Sequence, residues 1–378
     1  MRIYFDNAAT TPLSEDVWQK MSTILKNDFG NPSSIHHYGR VSRSIIEDAR
    51  KKVARTLQAS IGEIFFTSSA TEANNTILSR SVLDLGVRRF ISSPTEHHCV
   101  LHTLQHLQKE NPSLEIIWLK VDRHGRIDLQ ELEAHLSQSS AKTMVSLMYG
   151  NNEIGTIHNI TSIGDLCKKH NAYLHCDAVQ MVGKYPIDVQ QLQVSFLTGT
   201  AHKFHGPKGS GFFYMRADNI IQPFIYGGSQ ERNMRAGTEN VAGIAGLAEA
   251  LVEAVNHIEE RKTHILNLKT RFENRLTEEV NDIEFNHPAG DDGMYHISSV
   301  SFAASPQADM LMFNLDIEGI AASSGSACSA GIPEDSHVLT AIGHPAHRKT
   351  VRFSFSIYNT LEEVDVVVEK IKKLMTPK

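Results

Sequence analysis

Cysteine is scarce in this chain: four residues in 378, at Cys99, Cys167, Cys176 and Cys328, with no CxxC spacing among them. That scarcity argues against a disulfide framework or a zinc site and predicts a reduced, cytoplasmic setting. An excess of positive charge is missing too. The 37 Lys and Arg are outnumbered by 43 Asp and Glu, the net charge is −6, and no basic run occurs. A nucleic-acid groove is therefore not expected. No apolar stretch approaches the length of a membrane span, and Met1-Arg2-Ile3-Tyr4-Phe5-Asp6 has no apolar signal core, so no membrane association is expected. No strand is followed by GxGxxG and no P-loop occurs, which sets dinucleotide and P-loop chemistry aside.

What is present is a core-forming composition, 41% hydrophobic against 21% charged, at a length that suits two domains. Helices are predicted over 14–25 and 42–57, on either side of the turn-rich stretch Phe29 to His36. From Glu63 the rhythm becomes strand, helix, strand, helix. Apolar runs at 64–66, 89–92, 115–121, 143–149, 172–176 and 194–197 alternate with helical segments. Such units predict an α/β fold with a mostly parallel sheet and helices on both faces. A strand over 209–215 turns back, and a long Ala-rich helix from about Asn240 past Val255 is expected to bridge to a smaller α+β domain. That domain reads as helix, strand 297–302, helix 308–315, strands 319–323 and 350–355, and a terminal helix opened by the capping box Thr360-Leu361-Glu362-Glu363. The expected division is a large domain over 15–256, with a small domain made of 1–14 and 257–378.

The chain is organised around Thr200-Ala201-His202-Lys203-Phe204-His205-Gly206-Pro207-Lys208-Gly209. A lysine at the end of a buried strand tends to lose its proton, because desolvation disfavours the ammonium. A neutral amine condenses with aldehydes, which is how pyridoxal 5'-phosphate is held. About 25 residues upstream, His175-Cys176-Asp177 ends another strand in the carboxylate that a pyridine nitrogen needs. Thr71, His97, Asn152, Asp177 and Lys203 all follow strands, at the end where parallel sheets bind ligands. The turn Thr67-Ser68-Ser69-Ala70-Thr71 opens a helix and offers backbone N–H groups to an anion. In the second domain, Ser323 to Gly331 contains no large side chain, which predicts an exposed, mobile loop carrying an accessible Cys328. The other three cysteines fall on predicted helices or strands and are read as structural.

Nearly end to end, the sequence resembles cysteine desulfurases of the NifS/IscS type, within the fold-type I, class V aminotransferase-like pyridoxal-phosphate enzymes. The resemblance runs from Tyr4-Phe5-Asp6-Asn7-Ala8-Ala9-Thr10-Thr11-Pro12 to Val351-Arg352-Phe353-Ser354. Its most specific pieces are Gly30-Asn31-Pro32-Ser33-Ser34, Asn151-Asn152-Glu153-Ile154-Gly155, His202-Lys203 and Ser324-Gly325-Ser326-Ala327-Cys328. It implies that Lys203 holds the cofactor, Asp177 pairs with its ring nitrogen, Gln180 meets its ring hydroxyl and His97 stacks on its face. Ala70, Thr71, Thr200 and His202 would cradle the phosphate, with Thr238 reaching in from the other subunit of a homodimer. Asn152 would lie beside the ring and the substrate, Arg352 would grip the carboxylate of L-cysteine, and Cys328 would take the substrate sulfur as a persulfide. The sulfur would pass to an acceptor protein, an iron–sulfur scaffold or a thiolation enzyme. No metal site is implied beyond contact of Cys328 with a nascent cluster.

Ser69 stands where the family usually has glycine, Thr200-Ala201 replaces Ser-Gly, Phe355-Ser356-Ile357-Tyr358 replaces Leu-Gly-Arg-Phe, and Asp335 replaces proline. Scaffold-docking relatives carry residues beyond the final helix, whereas the sequence stops at Met375-Thr376-Pro377-Lys378, so docking is expected to differ. A selenocysteine lyase and a catalytically silent scaffold of the same fold are the alternative readings.

Overall fold

A computed structural model describes residues 2–324 and 336–376. Seven strands form the central sheet, in the order Ile64–Thr67, Gly211–Met215, Phe196–Thr200, Tyr173–Asp177, Thr143–Met148, Arg89–Ser92, Glu115–Trp118. Gly211–Met215 pairs antiparallel with both neighbours, and every other pairing is parallel. Thr143–Met148 and Phe196–Thr200 are buried at every residue, as strands covered on both faces must be, whereas the edge strand Glu115–Trp118 is exposed at its ends. One face is covered by a cluster that includes Val53, Leu147, Ile163 and Leu251, the other by Ile77, Leu78, Val100 and Leu104.

Several expected boundaries move. The strand expected over 194–197 runs over Phe196–Thr200, because Gly211–Met215 pairs with it residue for residue from Phe196↔Met215 to Thr200↔Gly211. Gln193, three residues before it, sits at φ +53. The strand expected over 115–121 ends at Trp118, where its parallel partner Arg89–Ser92 runs out. The helix expected from Ser42 begins at His37, since the His36 imidazole Nδ1 accepts the Gly39 N–H at 3.3 Å and caps it. The helix expected over 308–315 is two, Pro306–Asp309 and Leu311–Ile317.

A second core is built from Phe5, Phe272, Val300, Phe353, Phe355 and Val368 around the antiparallel strands Ile283–Phe285, Ile297–Phe302 and Lys349–Ser354. Thr360 and Glu363 form the expected capping box, and the terminal helix Leu361–Met375 buries Val364, Val367, Val368 and Ile371 there. The strand expected over 319–323 shortens to Ile320–Ala321 and joins Ile3–Tyr4 in a separate two-stranded parallel sheet. Phe355 packs edge-on against Phe5 at 4.9 Å, so this departure from the family pattern serves the core.

The Ala-rich helix Val241–Asn256 packs on the helices Glu15–Asn27 and His37–Thr56, then bends by 76° into Ile258–Glu279. No single helix among the described residues is long and apolar enough to cross a membrane.

Candidate active site

At the carboxyl ends of the parallel strands lies a cavity of about 360 Å³, lined by His97, Asn152, Asp177, Gln180, Lys203 and Arg352 among others. Lys203 closes the single turn Ala201–Lys203 that follows the strand Phe196–Thr200. Gly206 permits that turn to fold back, for a Cβ there would lie 2.7 Å from the Ala201 methyl. The N-terminal segment holds the turn from the other side. Thr11 N–H donates to the His202 carbonyl at 2.9 Å, and His205 N–H donates to Thr11 Oγ1 at 2.7 Å. Lys203 Nζ donates to the carbonyls of Ala8 and Ala9 at 2.8 and 2.7 Å.

Asp177 ends the strand Tyr173–Asp177 and is buried at the cavity wall. Its Oδ1 accepts the Val179 N–H at 3.1 Å and its Oδ2 accepts Asn74 Nδ2 at 2.8 Å. Glu96 is buried close by and accepts the Met148 N–H at 2.7 Å. Burial, reinforced by the Asp177 charge, drives its carboxyl well above the usual range, so Glu96 is neutral.

His97 caps the helix His98–Glu110 and faces the cavity. Its Nδ1 accepts the Cys99 backbone N–H at 3.1 Å, so the neutral ring carries its proton on Nε2. Burial lowers its pKa, against the pull of Asp177. Cys99, read from the sequence as structural, lines the cavity with its Sγ 3.0 Å from His97 Nδ1 and 3.2 Å from Asn74 Nδ2. Burial pushes its thiol up to about 12, which keeps it protonated. Cys167 and Cys176 are buried away from the cavity lining.

At the opposite end, the Ser69 hydroxyl caps the helix Ala70–Leu83 by accepting the Glu72 N–H at 3.2 Å. Ala70 and Thr71 open that helix into the cavity, where the helix terminus attracts anions. Thr200 and His202 stand opposite. The Thr200 hydroxyl donates to the Ser210 carbonyl at 3.1 Å, and His202 Nδ1 lies 3.3 Å from Thr10 Oγ1. Burial, helped by Lys203 and Lys208, pushes the His202 imidazole down to about 3, so it is a neutral hydrogen-bonding group. Thr238 is not in this cavity. It is exposed, in a groove shared with Phe29 and Pro32.

Arg352 is buried and fixed: Nη1 donates to the Asn152 carbonyl at 2.7 Å and Nη2 to Asp6 Oδ1 at 2.8 Å. Gln180 Nε2 donates to the Ala8 carbonyl at 2.9 Å, leaving a buried Oε1 with no hydrogen bond among the described residues. Cys328 and Asp335 lie outside the described residues, as does most of the loop expected over about 323–333. The described residues flanking that stretch dock on the cavity's own groups. The backbones of Ser323 and Arg352 exchange hydrogen bonds at 3.2 and 2.6 Å. The Ser336 hydroxyl donates to Glu153 Oε2 at 2.5 Å, and His337 Nδ1 sits 2.8 Å from His98 Nε2. Asp6, Asn74, His98 and His337 were missed as site residues by sequence reasoning. Of these only Asp6 lies inside a quoted stretch.

The family model for aminotransferase class-V matches residues 3–367. A cysteine desulfurase IscS of Dictyoglomus turgidum is 40% identical over 99% of this chain and 94% of its own length. A putative cysteine desulfurase IscS 1 of Bacillus subtilis is 41% identical over 98% of this chain and 97% of its own. Among solved structures, a NifS-like protein is similar with a TM-score of 0.91 and 36% identity, over 99% of both chains.

Proposed function

Because this chain belongs to the aminotransferase class-V family, we propose that it is a pyridoxal-phosphate-dependent cysteine desulfurase, converting L-cysteine to L-alanine through a persulfide on Cys328. The observation that carries the reading is one cavity holding Lys203 and Asp177, together with a buried Gln180 Oε1 that has no partner among the described residues and an open helix terminus at Ala70 and Thr71. An amine, a carboxylate, a hydroxyl acceptor and an anion site are the four complements of an aldehyde, a pyridine nitrogen, a ring hydroxyl and a phosphate. When bound, pyridoxal phosphate supplies the electron sink that weakens bonds at the substrate Cα.

The chain's own residues do the rest. Lys203 would hold the cofactor until substrate displaces it, and its Nζ then moves the proton at Cα. Asp177 would keep a proton on the ring nitrogen, and Gln180 would receive the ring hydroxyl. Ala70, Thr71, Thr200 and His202 would bind the phosphate, joined by Thr238 from a second subunit. His97 would cover the ring face, its Nε2–H placed to exchange a proton with the substrate sulfur. Arg352 would orient the carboxylate beside Asn152 as a bidentate fork. The Cys328 thiolate would attack the substrate sulfur, forming an S–S bond as the C–S bond breaks, and the remaining three-carbon fragment leaves as alanine.

A homodimer is part of this reading. Phe29 and Ile35 are 72% and 92% exposed, and Phe29 shares its groove with Thr238. We also place the enzyme in the cytoplasm, with a sulfur-acceptor protein as partner, and divide it into a large unit over 15–256 and a small one made of 1–14 and 257–378. The deciding experiment mixes purified protein with L-cysteine and a thiol reductant and measures sulfide and alanine. Equimolar production supports the reading, and no alanine from protein that carries the cofactor would end it.

A further inference from the structure

Asn74 belongs to none of the groups assigned so far, yet it is completely buried and touches two of them. It rides on the helix Ala70–Leu83, whose first turn faces the cavity. Its Nδ2 donates to Asp177 Oδ2 at 2.8 Å and approaches Cys99 Sγ at 3.2 Å. Its Oδ1 lies 3.0 Å from His175 Nε2, and His175 Nδ1 lies 2.8 Å from Ser146 Oγ. His175 is itself completely buried.

The directions of these bonds follow from chemistry. A carboxylate oxygen only accepts, so the amide nitrogen of Asn74 must face Asp177 and its oxygen must face His175. That oxygen only accepts, so His175 carries its proton on Nε2. Burial pushes the His175 imidazole down to about 4, so the ring is neutral and its Nδ1 must accept the Ser146 hydroxyl hydrogen. The line Ser146–His175–Asn74–Asp177 therefore runs one way, with every member donating toward the carboxylate. A proton on Asp177 Oδ2 would meet the Asn74 N–H head-on. Turning the amide over would set its oxygen against the carboxylate.

We propose that Asn74, aligned by His175 and Ser146, is a positioning residue that orients Asp177 toward the cofactor's ring nitrogen. The inference rests on the pyridoxal-phosphate reading above. Since the same helix opens at the expected phosphate cradle, it would fix both ends of the cofactor with one rigid element. The titratable groups around Asp177 are Glu96, His97, Cys99, His175 and Cys176, with Lys203 in the same cavity. Burial keeps the Glu96 carboxyl and both thiols protonated.

The test compares Asn74→Leu, His175→Leu and His175→Gln, the last of which returns an N–H donor close to the position of the imidazole Nε2. Cofactor affinity and the pH midpoint of the visible absorption band are read on the holoenzyme. The imidazole tautomer of His175 is read by nitrogen NMR on the apoprotein. Asn74→Leu is expected to weaken cofactor binding by roughly tenfold or more, the usual effect of losing a hydrogen bond to a buried charge, and to move the band's midpoint. His175→Leu shifts both in the same direction, while His175→Gln stays near wild type. A folded Asn74→Leu protein with unchanged affinity and midpoint overturns the proposal. If Asn74→Leu does not fold, the pair at 175 decides, and identical behaviour of Leu and Gln there also overturns it. A wild-type apoprotein with the His175 proton on Nδ1 contradicts the line directly. Absence of any cofactor on wild-type Lys203 would instead sink the functional reading, and the NMR result would still judge the line.

Discussion

Arg352 and Asp6, 346 positions apart, form a part-buried ion pair of 2.8 Å in which the arginine side chain is only 2% exposed. The aspartate steers the guanidinium without using it up, because the Asn152 carbonyl takes one further hydrogen and the buried Nε keeps its own. Removing the arginine is expected to raise the KM for L-cysteine and lower kcat/KM by about 100-fold, the scale of a lost buried charge contact. Arg352→Lys keeps the charge and loses the fork, so it recovers only part of that. Asp6→Ala leaves a buried cation uncompensated and is expected to cost about 3 kcal/mol of stability, read as a lower denaturation midpoint. A normal KM in Arg352→Ala would remove this residue from the substrate site.

Lys203 is the expected attachment point of the cofactor. Borohydride treatment of the yellow protein is expected to fix the cofactor to Lys203, identified by peptide mass. Lys203→Ala is expected to abolish turnover and still take up cofactor noncovalently, since the other contacts survive. Recovery of the reduced adduct on Lys208 would overturn the assignment.

Sulfur and selenium chemistry separate at Cys328. Breaking the C–S bond of L-cysteine needs an acceptor for the sulfur, whereas a selenol is the more acidic, better leaving group. Cys328→Ala is therefore expected to stall on L-cysteine while keeping appreciable activity on L-selenocysteine. Release of sulfide from L-cysteine at the wild-type rate would favour the lyase reading.

Acid is expected to loosen this fold at a predictable pH. Burial holds His158, His175 and His205 neutral, each pushed down to about 4. The same side chains titrate near 6.5 when unfolded. Between about pH 4 and 6.5 the unfolded chain therefore binds the extra protons, and stability is lost as pH falls through that window. Each such histidine contributes about 1.4 kcal/mol per pH unit. Urea titrations of the apoprotein are expected to show a midpoint that declines below pH 6.5, with a slope one proton shallower in His158→Gln. A flat midpoint across the window would contradict the buried, neutral assignment.

The strand-ending residues were legible because a short apolar run followed by Gly, Pro or a charged group marks a strand's carboxyl end wherever it lies. Lys203, Asp177, His97 and Asn152 were all found that way, and the sheet brings them to one cavity. Asn74 was not, because a polar residue within a helix reads as a solvated face until the face that carries it is known to be covered. Its partner Asp177 is 103 positions away. The place of Cys99 in the cavity lining is not legible for a related reason. Being on a helix says nothing about whether the residue lies at the end that opens into the site. The strand over 196–200 was placed two to three residues early because its far limit is set by pairing with Gly211–Met215, which no local pattern encodes.

The first dozen residues have a consequence for how the protein is made. Thr11 bonds the backbone of His202, Ile3 pairs with Ile320, and Asn7 reaches Ser354 and Asn359. These residues leave the ribosome before their partners, every one of which arrives more than half a chain later. The carbonyls of Ala8 and Ala9 that receive Lys203 thus have no fixed position until the strand Lys349–Ser354 has been synthesised. Contacts of such long sequence separation form late and slowly. Assembly of the cavity is in that sense a check on translation: a chain interrupted before that strand can build most of the sheet but cannot finish the wall around the lysine.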